Sequence, residues 1–122
     1  MNDKKTILVV DDTPENIQVL TAALGSLYRV KAATSGEKAL KICAGDPMPD
    51  LVLLDVLMPE MDGYEVCRRL KSDARTAPIP VVFVTTITDP NEEAKGISLG
   101  AVDYISKPID PAAVLARVAS LV

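Results

Sequence analysis

Three short runs, Ile7-Leu8-Val9-Val10, Leu51-Val52-Leu53-Leu54 and Val81-Val82-Phe83-Val84, are apolar at every position and stop abruptly at Asp11-Asp12, Asp55 and Thr85. A strand with one face in water alternates apolar and polar residues, so an unbroken apolar strand must be covered on both sides. That requirement points to a parallel sheet sandwiched between helices. Hydrophobic residues make up 48% of the chain but aromatics only 3%, so such a core is built from Val, Leu, Ile and Ala, the side chains of buried parallel strands.

The segments between the runs read as helices. Thr13-Pro14 starts the first, with Thr13 as cap and Pro14 at the first helical position; Ile17, Leu20 and Leu24 recur at helical spacing until Gly25. Tyr28 to Ala33 reads as the second strand, and Thr34-Ser35-Gly36-Glu37 as a capping box opening a helix that closes at Gly45. A turn at Pro59, Asp62 and Gly63 leads to a helix with Val66, Cys67 and Leu70 on one face. Pro80 to Thr85 is the fourth strand, Asp89-Pro90 with Glu92 starts a helix ending near Gly100, Asp103 to Ser106 is the fifth strand, and Asp110-Pro111 opens the last helix. Five strands alternating with five helices predict a doubly wound α/β sheet, because each crossover is long enough for a helix and must be right-handed. At 122 residues the chain has room for one such core. No linker, repeat or low-complexity stretch divides residues 1–122.

A net charge of −4 and a pI near 4.7 argue against direct binding to nucleic acid or to an anionic membrane surface, which need a basic patch. The apolar runs fall far short of the roughly 20 residues that cross a bilayer, and no signal-peptide pattern is present, so a cytoplasmic protein is expected. Cys43 and Cys67 lack metal-ligand spacing and read as buried free thiols. Histidine is absent altogether, which removes the commonest general base and every Ser/His or Cys/His pair. Chemistry here must run on carboxylates, hydroxyls and lysine.

In open parallel sheets, ligands gather at the carboxyl ends of strands where the strand order reverses. For an order of 2-1-3-4-5 that crevice lies between strands one and three, which brings Asp11, Asp12 and Asp55 together. Two unit charges about 4 Å apart repel by roughly 4 kcal/mol at an effective dielectric of about 20, so the cluster calls for a cation. An oxygen-only donor set suits Mg²⁺, with Mn²⁺ as the alternative. The plainer reading, that Asp11 and Asp12 cap the next helix while Asp55 ends a strand, holds for any one acid but weakly for all three. Thr85 and Lys107 close strands four and five and would offer a hydroxyl and a fixed positive charge to a bound phosphate.

Asp11-Asp12, Asp55-Val56-Leu57-Met58-Pro59-Glu60-Met61-Asp62-Gly63, Thr85 and Lys107-Pro108 together resemble the signature of CheY-like response-regulator receivers across essentially the whole chain. The resemblance implies a phosphorylation switch rather than an enzyme, with limited self-phosphorylation from small phosphodonors and some self-dephosphorylation. Asp55 would accept the phosphoryl group, with Mg²⁺ held by Asp12, Asp55 and the Leu57 carbonyl and by Asp11 through water. Lys107 would contact the phosphoryl group across a cis Lys107-Pro108 bond. Thr85 and Tyr104 would form the switch, read out on the face of helix four, strand five and helix five. The phosphoryl donor would be a sensor histidine kinase or a histidine phosphotransfer protein.

Three positions tune the pattern: Thr86 stands where Ala or Gly is usual, and Leu57 and Ile87 cannot hydrogen-bond an attacking water, which predicts slow self-dephosphorylation. Between Pro111 and Val122 the only charged side chain is Arg117, so Leu115 and Val122 are expected on an apolar outer face, for a partner or for a following segment of a longer protein. A linked output domain and a homodimer through helix four, strand five and helix five are expected on this reading. Asp50 to Asp73 and Lys107-Pro108-Ile109-Asp110 lean toward receivers that precede cyclic-di-GMP enzymes. Among rivals, a haloacid-dehalogenase-type phosphatase needs an Asp where Leu57 stands, a flavodoxin's phosphate would be repelled by Asp11-Asp12, and a P-loop is absent. A pseudo-receiver serving only as an interaction module remains the alternative.

Overall fold

The computed structural model describes residues 4–86 and 89–122. Its order is β1 (Thr6–Val10), α1 (Pro14–Leu24), β2 (Arg29–Ala33), α2 (Gly36–Ala44), β3 (Leu51–Leu54), α3 (Gly63–Ser72), β4 (Val81–Thr85), α4 (Pro90–Ser98), β5 (Asp103–Ser106) and α5 (Pro111–Leu121). The strands form one parallel sheet in the order β2-β1-β3-β4-β5. The expected alternation and strand order are both present.

Every residue of β1, β3 and β4 is buried, as their unbroken apolar runs require. Successive side chains point to opposite faces, so each run feeds two cores. Leu8, Val10, Val52, Leu54, Val81 and Phe83 pack with residues of α2 and α3 on one face. Ile7, Val9, Leu51, Leu53, Val82 and Val84 pack with α1 and α5 on the other. Cys43 and Cys67 are both fully buried free thiols, and burial pushes the Cys43 thiol up to about 11.

Helix starts follow their caps. Asp62 accepts from the Glu65 N–H at 2.9 Å, Asp89 from Asn91 at 2.9 Å and Asp110 from Ala112 at 3.1 Å, each satisfying a donor that the first turn leaves free. Two expected caps differ. The box at Thr34 is shifted by one residue: Ser35 is the cap and accepts from Lys38, so Glu37 is not its reciprocal partner. Thr13 occupies the N-cap of α1 with no side-chain bond to the helix; its own N–H donates to Asp11 Oδ1 at 2.9 Å, an Asx turn that takes over the job of shaping this corner.

The expected apolar outer face of α5 is corrected at Leu115 and holds at Val122, which is exposed. Helix α5 packs beside α1, and Leu115 and Leu121 lie against the core cluster there, which leaves only Val122 at its end exposed among its large hydrophobic residues. Arg117 pairs through Nη1 with Asp103 Oδ2 at the start of β5. A wide apolar stripe on a helix wedged between a sheet and another helix is core, not interface.

Candidate functional site

The switch point between β1 and β3 is where the chain leaves the carboxyl ends of the two strands toward opposite faces of the sheet, and both strands end in acid. The Asp55 N–H donates to Val10 O at 2.9 Å and the Asp11 N–H to Ala33 O at 3.1 Å, so ladder hydrogen bonds fix both acids at the sheet rim. Carboxylate oxygens of Asp11, Asp12 and Asp55 lie within 4.8 Å of one another. Asp11 and Asp55 are buried and Asp12 is exposed, which makes a site closed beneath and open to solvent on one side.

Lys107 enters this crevice from beyond β5. Its Nζ donates to Asp11 Oδ2 at 2.9 Å and stands 3.5 Å from Asp55 Oδ2. The Lys107-Pro108 bond is cis, as expected, and the Lys107 N–H donates to Thr85 O at 2.8 Å, tying the two strand ends together. Thr85 is fully buried. One ammonium facing three carboxylates leaves the crevice short of positive charge. Burial pushes the Asp55 carboxyl above its ordinary range; Lys107 pulls it down, Asp11 pushes it up, and the Leu57 N–H pulls it down.

The acceptor capacity at Asp55 is underused. Its described contacts are long, 3.4 Å from the Leu57 N–H to Oδ1 and 3.5 Å from Lys107 to Oδ2, whereas a carboxylate offers about four acceptor positions. Hard oxygen donors, a charge deficit and spare lone pairs on a buried acid fit a small divalent cation that keeps waters. Leu57 lies beside these acids in the β3–α3 loop with its side chain exposed.

That loop is pinned by Gly63, whose N–H donates to Val56 O at 2.9 Å. A Cβ at Gly63 would lie 2.2 Å from Asp55 O, so only glycine lets the first turn of α3 press on the backbone of Asp55. Thr86 is exposed at the rim. Ile87 lies outside the described residues.

The fold agrees with that of the known proteins the chain matches. A sequence model of the response regulator receiver domain matches residues 7–119. The chain belongs to the receiver family of response regulators. This receiver is 52% identical over 104 residues to a probable cyclic di-GMP phosphodiesterase of Vibrio cholerae, covering 85% of this chain and 23% of that protein. It is 47% identical over 116 residues to the response regulator PleD of Caulobacter vibrioides, covering 94% of the chain and 25% of PleD. The chain thus spans about a quarter of the length of each. Among solved structures, the BeF3-activated DrrB receiver domain superposes with a TM-score of 0.88 at 34% identity, covering 98% of this receiver and 97% of that chain. The chemotaxis protein CheY4 of Vibrio cholerae superposes at 0.91 and 26% identity, over 98% and 100% of the two chains. Receivers are regulatory domains that bind Mg²⁺ at acidic residues, and the three aspartates here are compatible with that.

The site residues expected from sequence fall in two groups. Asp11, Asp12, Asp55 and Lys107 meet in the crevice, with Thr85 at the end of the neighbouring strand and Leu57 on its rim. Tyr104 sits apart, its ring tilted against Phe83 with centroids 5.9 Å apart and its buried hydroxyl without a hydrogen-bond partner among the described residues. Tyr64 was not anticipated. It packs edge-on against Phe83 at 5.2 Å, so three of the chain's four aromatic side chains, three Tyr and one Phe in all, gather beneath α4. In so aromatic-poor a chain, a Tyr directly after the Asp62-Gly63 turn was the available signal.

Proposed function

We propose that Asp55 accepts a phosphoryl group from the phosphohistidine of a separate kinase or phosphotransfer protein, and that the charge so introduced switches the α4, β5 and α5 face. What carries this reading is the bridging of Asp11 and Asp55 by Lys107 Nζ, 2.9 and 3.5 Å away, above a buried carboxylate with spare lone pairs. An Asp55 oxygen attacks phosphorus in line as the bond from phosphorus to the donor imidazole nitrogen breaks. The nitrogen leaves with the electron pair and is protonated. Because the chain has no histidine, the donor comes from outside.

Lys107 is a fixed cation that exchanges part of its carboxylate pairing for the incoming phosphoryl oxygens, and Thr85 supplies a hydroxyl beside them. A Mg²⁺ or Mn²⁺ held by Asp12, Asp55 and the Leu57 carbonyl, with Asp11 behind a water, would supply Lewis-acid neutralisation of the transferring group. Thr85 and Tyr104 then carry the change to α4 and β5. Leu57 offers no group to orient an attacking water, so the phosphoryl group is long-lived, and Leu57→Asn shortens its lifetime by several-fold. Following the decay of phosphorylated protein by intact mass checks this; an equal or longer lifetime in the variant would contradict it.

The lengths and names of the relatives support a receiver that acts, in the cytoplasm, as the input part of a longer protein with a covalently attached output domain. The probable cyclic di-GMP phosphodiesterase among them supports an output in cyclic-di-GMP signalling. Pairing of two copies through α4, β5 and α5 on phosphorylation is part of the same reading. The direct test is incubation with Mg²⁺ and acetyl phosphate: phosphoryl mass appears on the parent and not on Asp55→Asn. No mass gain by the parent would favour a pseudo-receiver that works only as an interaction module.

A further inference from the structure

Helix α4 is held almost entirely from outside itself. Of its residues only Gly96 is buried, and a Cβ there would come within 2.9 Å of Phe83 and 3.5 Å of Tyr104, so the glycine lets the helix axis sink onto the aromatic group. Between α3 and α4 lies an open groove of about 250 Å³ lined by Asp62, Tyr64, Glu65, Arg68, Lys95 and Leu99; the two helices are not joined by continuous packing.

Tyr64 spans that gap. Its hydroxyl donates to Glu92 O in the first turn of α4 at 3.2 Å, and Lys95 Nζ sits 4.6 Å over its ring, a cation–π contact. Among the described residues the Tyr104 hydroxyl makes no hydrogen bond to α4. At its other end Tyr64 follows Gly63, which touches the backbone of Asp55 and Val56. A shift of the β3–α3 loop therefore reaches the first turn of α4 through this side chain, while Cys67 Sγ, 3.7 Å from Leu99 O, ties α3 to the opposite end of α4.

We propose that Tyr64 is a second coupling residue, a strap that ties the first turn of α4 to the β3–α3 loop in parallel with Thr85 and Tyr104. This rests on the reading of Asp55 as phosphoacceptor. The strap acts through a neutral phenol, and two contacts on α4 three residues apart, Glu92 O and Lys95 Nζ, fix both the depth and the rotation of that helix. Loss of the hydroxyl frees the first turn of α4 while leaving the acids of the crevice in place.

Hydrogen exchange of the full chain followed by mass spectrometry tests it. Tyr64→Phe, which keeps the ring, raises exchange in residues 91–99 roughly fivefold in the unphosphorylated protein, the worth of one hydrogen bond, and leaves α1, α2 and β1 within about twofold. Lys95→Met, which keeps the stem, raises it about twofold. With Mg²⁺ and beryllium fluoride added, the response of α4 in Tyr64→Phe falls to about half of that in the parent, as expected when one of two parallel routes is cut. Unchanged exchange in α4, a rise spread over the whole chain, or an undiminished response in the variant would each overturn the strap. If the reagent leaves residues 51–58 of the parent unaltered, it is the phosphoacceptor reading that fails, and this is seen without reference to Tyr64.

Discussion

Strands β1, β3 and β4 are buried at every residue, whereas β5 has no buried residue and α4 buries only Gly96. The first region carries Asp11, Asp12, Asp55 and Thr85 at its rim; the second carries Tyr104, exposed Ile97 and exposed Val102. The three acids and Thr85 stand at the ends of strands that cannot move without opening the core. Tyr104 and Ile97 stand on elements whose attachment is thin. Lys107 joins the two: it follows the lightly packed β5, yet its ammonium rests on Asp11 and Asp55. On the proposed reading, charge added at Asp55 pulls directly on the chain segment that leads out of β5.

Mutations on the two sides should differ in kind. The largest effect is expected from Leu54→Ala, which empties a fully buried position in β3 and costs about 3 kcal/mol of unfolding free energy in urea titrations; a loss under about 1 kcal/mol would mean that this side is less tightly packed than described.

Asp55→Asn comes next and has the opposite sign. Burial raises the Asp55 pKa from 3.8, so the folded chain binds this proton more readily than the unfolded one. Above the folded value the ionised carboxyl weakens the fold, and stability recovers as pH falls from there to below 3.8. In metal-free buffer at pH 7, Asp55→Asn is therefore more stable than the parent, and the gap closes as the pH drops through that window. A variant less stable than the parent at pH 7 would show that the Lys107 pairing outweighs burial.

The smallest effect belongs to the lightly packed side. Ile97→Ala at an exposed position of α4 stays within about 0.5 kcal/mol of the parent in the same titration. A cost near that of Leu54→Ala would erase the distinction between the two regions.

Most of this architecture was legible in the residues because the unbroken apolar runs permit only a doubly covered sheet, and because their terminal acids had to converge if the order was 2-1-3-4-5. Local caps were less legible. Thr34 and Ser35 both suit an N-cap, and only the backbone path decides between them; Thr13 takes the N-cap position but makes no side-chain cap bond, its own N–H donating to Asp11 Oδ1. Helix α5 misled because its surplus apolar side chains meet α1, a neighbour that periodicity cannot reveal. The cis bond at Asp46-Pro47 had no sequence signal to separate it from any other X-Pro. Gly96 carries no sequence signal for its place, where α4 meets Phe83 and Tyr104. Tyr64 was hidden by its ordinary place on an amphipathic helix, since its partners lie on α4 and β4.

The central claim is that one acid of three takes the phosphoryl group. Treating the acetyl-phosphate product with borohydride reduces an aspartyl phosphate to homoserine, and peptide mapping then locates it. Homoserine at position 55, with Asp11 and Asp12 unmodified, is the predicted result. Homoserine at 11 or 12, or an unmodified residue 55 in protein that has gained phosphoryl mass, would contradict it.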